Sequence, residues 1–505
     1  MRMALAEATD GDTLPHIVQR ALLAAMSLVL MSPSLAVAEW RALRTANFYV
    51  MGDVPARRLH DVALRFEQFR DVVRHVLPAV FRTGSAPVIV IVFPDADSYR
   101  PFMPVANGRT VLVDGSFVDG ADVNYITMNV EAGERAFPII FHEFSHLLVN
   151  NAFTHAPLWF NEGLAEYFST FEMRDGGRRM LLGTPIRRHD ALLRGRLLPL
   201  PDLFAIGRDS KAYTREGVER DLLYAQSWAL VHYARHRGPG GLAALESLAR
   251  HLADGEDADK SVRAIYGMGV ERLDVEVRRY VQSRIYDQVE PSSATGVTTR
   301  VDSEPTTADA AEADAWLADL LAHLQRGPEA IPLLERALRV RGDLPRAQAT
   351  LGVLRIRQGN RPEGLALLDR AVAAGPEIES VQFEYGWALA TEAVLDPPRA
   401  QRARAALERA IALRPGYPAA IQMLATVYGR TNDFEKMREL LTPLVKAAPD
   451  NQDAALQLAA ALLGLDEIPA ARALIGPVLA RPHNDEMRER ARTLLGEISK
   501  LQPQR

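Results

Sequence analysis

The 505-residue sequence contains no cysteine. That absence excludes disulfides, thiolate nucleophiles, thiolate metal sites and a lipid-bearing N-terminal cysteine. Any zinc would have to be held by nitrogen and oxygen donors. Basic excess is also missing. The formal charge is −5 and the pI about 6.2, so nucleic acid is not an implied partner. Lysine is scarce, and arginine supplies nearly all the positive charge. Long apolar runs are few. ALLAAMSLVLM (residues 21–31) follows Arg20 and precedes SPSLAVAEW, which reads as a secretory signal cleaved after Ala38. That run is too short to span a bilayer comfortably, and the other reading is an uncleaved N-terminal anchor. No second run of about 18 apolar residues exists, so the expected location is periplasmic or secreted.

What is present divides along the chain. The length exceeds what one compact core holds. After the signal or anchor at 1–38, residues 39–288 read as a mixed α/β domain. NFYVMGD (47–53), APVIVIVFPD (86–95) and DVNYITMNV (122–130) are strand candidates, and 56–77 has helical spacing. Residues 289–314 are rich in Ser, Thr, Ala, Pro and acid, and read as a flexible linker.

Residues 315–505 repeat. Gly352, Gly364, Leu368, Ala371 and Pro376 meet Ala330, Leu334 and Ala337 on a shift of 34 residues back, and Gly386 on a shift forward. After an insertion near VLDPP the series resumes with Ala403, Leu407, Ala410 and Pro415, and then reaches Pro449. This period resembles tetratricopeptide repeats, with about five units and a polar last helix as a cap. The resemblance implies a concave face that binds peptides or proteins. The plainer reading is an Ala/Leu-rich helical bundle.

The chemistry lies in FHEFSHLLVN (141–150). Residues four apart share a helix face, so His142 and His146 can grip one ion, with Glu143 about 100° round the helix and free to act on a bound water. Alone, the motif fits equally a helix with core or solvated histidines. PLWFNEGLAEYFSTF (157–171) then offers a second helix with Glu162 and Glu166 one turn apart, and a zinc site needs a third donor from another element. His155 is an alternative donor in the loop NNAFTHAP. The extended histidine motif fails, because Val149 and Ala152 stand where it needs glycine and histidine.

HEFSH followed by LWFNEGLAEYF resembles the gluzincin zinc metallopeptidases, the group of thermolysin and the alanyl-aminopeptidase-like enzymes. It most resembles the bacterial peptidase-MA-like proteins, which often carry tetratricopeptide repeats. The resemblance implies an α+β gluzincin-like catalytic domain followed by an all-α tetratricopeptide solenoid. It implies one Zn²⁺ on His142, His146 and Glu162, Glu143 as the base, and Glu166 as the group that orients a ligand histidine. For Glu166 the bland alternative is a solvated carboxylate. LLYAQSWALVHYARHRGPGG (222–241) resembles the segment whose leading tyrosine donates to the oxyanion, which is Tyr224 here, with Tyr213 and Tyr233 as competitors. The histidine-to-glutamate gap is shorter than in thermolysin, and no Gly-x-Met-Glu-Asn segment exists, so aminopeptidase specificity is not implied. The expected partners are a peptide or protein substrate and a protein on the repeats, with membrane contact only through the N-terminal segment. The alternative function is a non-catalytic interaction protein with a vestigial or structural metallopeptidase-like domain.

Overall fold

Alternation along a few β-branched strands builds the first part of the fold. In β3 (Val88–Phe93) the side chains of Val88, Val90 and Val92 enter one core, and those of Ile89, Ile91 and Phe93 enter another. A strand buried on both faces reads as a continuous apolar run, which is what this segment is. The computed structural model describes residues 39–78, 86–106, 108–153, 156–175, 179–215, 217–286, 297–298, 300–449 and 451–501. The signal expected at 1–38 and the candidate His155 lie outside the described residues. Among the described residues no helix is long and apolar enough to cross a membrane.

Strand β3 sits inside a six-stranded sheet. On one side lie β2 (Phe48–Gly52), β1 (Arg41–Arg44) and the late strand β10 (Thr306–Thr307). On the other lie β7 (Asn124–Asn129) and the edge strand β6 (Gly115–Val118). β2, β3 and β7 run parallel, and the outer pairings are antiparallel. Helix α1 (Ala56–Val76) makes the crossover from β2 to β3. A short α2 (Ala96–Tyr99) and a hairpin of β4 (Val105–Ala106) and β5 (Arg109–Thr110) precede β6.

One face of the sheet is covered by α1 and α3 (Ala136–Ala152), and α4 (Leu158–Ser169) packs on α3. Aromatic rings dominate that layer, with Phe69 stacked on Phe141 at 4.1 Å and Phe171 and Phe66 edge-on to Phe141. Next come a hairpin, β8 (Glu172–Arg174) and β9 (Arg179–Leu181), and three short helices, α5 (Arg187–Leu193), α6 (Leu200–Ala205) and α7 (Lys211–Thr214). The long α8 (Val218–His236) packs against α4, and α9 (Gly241–Ala253), α10 (Ala258–Tyr266) and α11 (Val270–Ser283) complete the domain.

Eleven further helices form the repeats: α12 (Ala310–His323), α13 (Gly327–Val340), α14 (Pro345–Arg357), α15 (Arg361–Ala374), α16 (Glu379–Ala390), α17 (Pro397–Leu413), α18 (Pro418–Arg430), α19 (Phe434–Ala447), α20 (Gln452–Gly464), α21 (Ile468–Ala480) and α22 (Asp485–Leu501). They pair into five units and a last helix. The recurrent small residues let paired backbones touch: a Cβ on Gly364 would lie 2.6 Å from the Gly352 carbonyl oxygen, and one on Gly352 would lie 2.9 Å from that of Gly364.

Two boundaries differ from the expectation. The described part of 289–314 is not a free linker: β10 pairs with β1, Thr298 bonds Asp71, and the Val301 carbonyl lies 3.0 Å from His60 Nε2. An edge strand needs only backbone donors and acceptors, so a Ser/Thr-rich composition does not exclude it. The helical array also begins at Ala310 rather than 315. Its first helix, α12, puts Ala313, Leu317 and Leu320 against Met51, Ile89 and Ile91 on the second face of the sheet. The repeats therefore supply the layer that buries that face.

Candidate metal centre

Helix α3 is held by one face and offers the other. Ile140, Phe141, Phe144 and Leu148 are buried in the aromatic layer, while His142, Glu143 and His146 are half-buried on the opposite side. Helix α4 has no exposed face: every residue from Leu158 to Ser169 is buried. It therefore carries Asn161, Glu162 and Glu166 into the interior, where an ionised carboxylate costs several kcal/mol unless it is paired.

The pairing is with α3. Glu162 Oε2 lies 3.5 Å from His142 Nε2 and 3.5 Å from His146 Nε2, and the two imidazole nitrogens are 3.1 Å apart. Tyr213 donates to Glu162 Oε1 at 3.2 Å, whereas Glu162 Oε2 is buried with no hydrogen-bond donor. Three ligand atoms thus face one another around a common centre. For donors about 2.1 Å from a tetrahedral zinc, the edges of that triangle should be about 3.4 Å. The donor set and its spacing fit zinc.

Surrounding groups fix the donors. Asn161 Nδ2 donates to Asn150 Oδ1 at 3.0 Å, which turns the Asn161 carbonyl oxygen toward His146 Nδ1 at 2.9 Å. His146 therefore carries its proton on Nδ1 and leaves the Nε2 lone pair facing Glu162. Glu166 Oε1 lies 3.6 Å from His142 Nδ1, and its Oε2 lies 3.5 Å from His189 Nε2. At 2% exposure Glu166 is not a solvated surface carboxylate, because its helix is buried all round. Burial acts to push the Glu162 carboxyl up, but its interaction with the facing His142 and His146 imidazoles outweighs burial and holds it at about 2. Burial likewise acts to lower His146, and Glu162, Asn161 and Glu143 reverse that and raise it.

A cleft of about 580 Å³ opens beside the triangle, lined by Ile139, His142, Glu143, Glu166, Thr184 and Tyr224. Tyr224, from α8, has its ring 6.3 Å from that of His142. Burial first, and then the charge of Glu162, raises its pKa, so the phenol stays protonated as a donor. Of its competitors, Tyr213 is tied to Glu162, and Tyr233 packs on Tyr280 in the core.

Asn161 and His189 join the site without a motif that marks them, and Tyr213 belongs to it through Glu162 rather than as a rival to Tyr224. Asn161 stands beside Glu162 in the quoted NEG, so its identity was visible though its contact was not. His189 lies in a stretch with no motif, IRRHDALL.

The fold and site together define a mixed α/β domain with a two-histidine, one-glutamate cluster, joined to a helical repeat array. The tetratricopeptide repeat family profile matches residues 299–346 and 349–418. The repeats across those residues are tetratricopeptide repeats. Among solved structures, the TPR protein YrrB, described as having an unusual peptide-binding site, is 15% identical (37% of this chain, 92% of that one, TM-score 0.32). A thermophilic TPR protein from Thermus thermophilus is 21% identical (37% and 99%, TM-score 0.30), and Pseudomonas aeruginosa pilF is 20% identical (39% and 93%, TM-score 0.31). No curated protein matches the chain. The likenesses concern the repeats and lend no support to a peptidase domain.

Proposed function

We propose that the chain is a zinc-dependent metallopeptidase, periplasmic or secreted, whose repeats hold a protein substrate or partner. The observation that carries this reading is the triangle of His142, His146 and Glu162, with edges of 3.1 to 3.5 Å, beside a cleft that also contains Glu143. Those three residues would hold the ion, which when bound polarises a peptide carbonyl and makes water a better nucleophile. Glu143 takes the proton from water as its oxygen attacks the carbonyl carbon, and gives it to the amine nitrogen as the C–N bond breaks. Tyr224 donates its phenolic hydrogen to the carbonyl oxygen as negative charge gathers there. Asn161 holds the His146 ring, and Glu166 sits behind His142, so neither imidazole has to reorient during the reaction.

A second reading is favoured by the repeats, the part of the chain that the comparisons support. In it the array binds a protein and the first domain is a metal-stabilised module without chemistry. Zinc content and casein cleavage, measured on the wild type and Glu143→Gln, separate the two. The peptidase reading expects zinc in both proteins and cleavage only in the wild type. Zinc in both with no cleavage by either leaves the interaction protein.

A further inference from the structure

Among the described residues, a second cluster of buried charge lies where the β6–β7 turn meets the repeats. Residues 119–122 sit against α12 and α14, the first helices of two consecutive units, and against Arg414, which follows α17 in the third. Asp122 Oδ1 lies 3.0 Å from His323 Nε2 on α12, and Asp122 Oδ2 lies 3.5 Å from Arg346 Nη1 on α14. Arg414, at the end of α17, donates to the carbonyl oxygens of Ala121 and Asp122, both at 2.8 Å. Gly120 fits because it has no side chain: a Cβ there would lie 2.3 Å from the Val123 carbonyl oxygen and 2.8 Å from the His323 ring. One short turn thus has its backbone read by an arginine and its carboxylate read by a histidine and a second arginine. That is how a bound peptide is held, except that the peptide belongs to the same chain.

Asp122, Asp319 and His323 also have donor atoms within 4.8 Å of one another. Arg346 Nη1 already stands 3.5 Å from Asp122 and 3.8 Å from Asp319, supplying the positive charge an ion would bring. The groove is not filled by the turn. About 330 Å³ remains between residues 119–122 and the side chains of Phe383, Glu384 and Trp387, and Glu384 Oε2 is buried there without a hydrogen-bond partner.

We propose that residues 119–122 are a built-in ligand of the repeat groove, and that the groove's external partner is a protein segment presenting an aspartate or glutamate among small residues, which displaces them. Arg414, Arg346 and His323 would read the incoming backbone and carboxylate as they read the turn. The turn ends β6, and a Cβ on Gly115 of β6 would lie 2.8 Å from Ile140 on the helix that carries His142. Displacement therefore reaches the metal-bearing helix. That consequence for activity rests on the peptidase reading, and the binding does not.

The test uses a fluorescent peptide of residues 117–125, FVDGADVNY, and the full chain, read by anisotropy and independent of any cleavage. Asp122→Asn in the chain weakens the internal ligand, so it should bind the peptide at least tenfold more tightly than the wild type. Adding Arg414→Ala should reverse that gain, and a peptide with asparagine in place of its second aspartate should not bind. Equal affinity in wild type and Asp122→Asn, or binding indifferent to Arg414→Ala, overturns the proposal. A second readout needs no variant: hydrogen exchange at residues 115–123 of the wild type should quicken when excess peptide is added. Unchanged exchange there also overturns it.

Discussion

Replacing Gly163 with alanine should destabilise the domain and loosen the metal centre together. Gly163 follows Glu162 on α4, where α4 crosses α8. A Cβ at that position would lie 2.6 Å from the Ser227 carbonyl oxygen, 2.9 Å from the Ser227 carbonyl carbon and 2.9 Å from Val231 Cγ2. The first two atoms are backbone and cannot rotate away, so the helices must part by several tenths of an ångström. Overpacking of this kind typically costs about 1–3 kcal/mol, against a gain of about 1 kcal/mol from replacing a helical glycine. The net loss should be on the order of 1 kcal/mol and at most about 2, read as a lower urea midpoint with an unchanged slope. Because the displaced residue adjoins Glu162, zinc affinity should fall as well. If Gly163→Ala unfolds at the wild-type urea concentration and binds zinc equally well, the close packing of α4 on α8 does not set the position of Glu162.

Other expectations follow from the same geometry. Glu143→Gln should keep zinc and lose peptide hydrolysis by about 10²–10⁴-fold, measured as kcat on a quenched fluorescent peptide. Tyr224→Phe should lower kcat by about 10²-fold with little change in KM, whereas Tyr213→Phe, which removes a donor to Glu162, should chiefly weaken zinc binding. Stability should fall as pH rises from 6 to 10. Burial opposes charge on His323, but Asp319 and Asp122 overcome it and hold the imidazole at about 10, so its contribution is whole below its unfolded value near 6.5 and is lost as pH rises through about 10. Glu384, pushed up to about 8 chiefly by burial, has the same sign over a lower window that begins near 4.5. Urea midpoints should track this loss, and His323→Gln should flatten the upper part of it.

The parts of this molecule that were legible in its sequence are those decided by local geometry. His142 and His146 share a face because they are four residues apart, and β3 announces itself by an unbroken β-branched run. That Glu162 meets the two histidines was legible because α4 is the next helix and carries it on an apolar element that must fold back onto α3. The turn at 119–122 was not legible. Its partners, His323, Arg346 and Arg414, are roughly 200 to 290 residues away and belong to a repeat pattern in which arginines look like solvated surface. The segment at 289–314 misled for a related reason: its composition cannot build a core, yet two threonines suffice to extend a sheet edge. His189 approaches Glu166 only once α5 packs against α8, so no spacing in the sequence marks it.

If two imidazoles and a carboxylate close on one ion, calorimetric titration of the metal-stripped chain with zinc will show it. One zinc per chain is expected, with affinity reduced by about 100-fold or more in His146→Ala and in Glu162→Gln, and unchanged in Asp319→Asn at the Arg346-filled cluster. A chain that takes up no zinc, or one whose zinc binding survives both His146→Ala and Glu162→Gln, would contradict it.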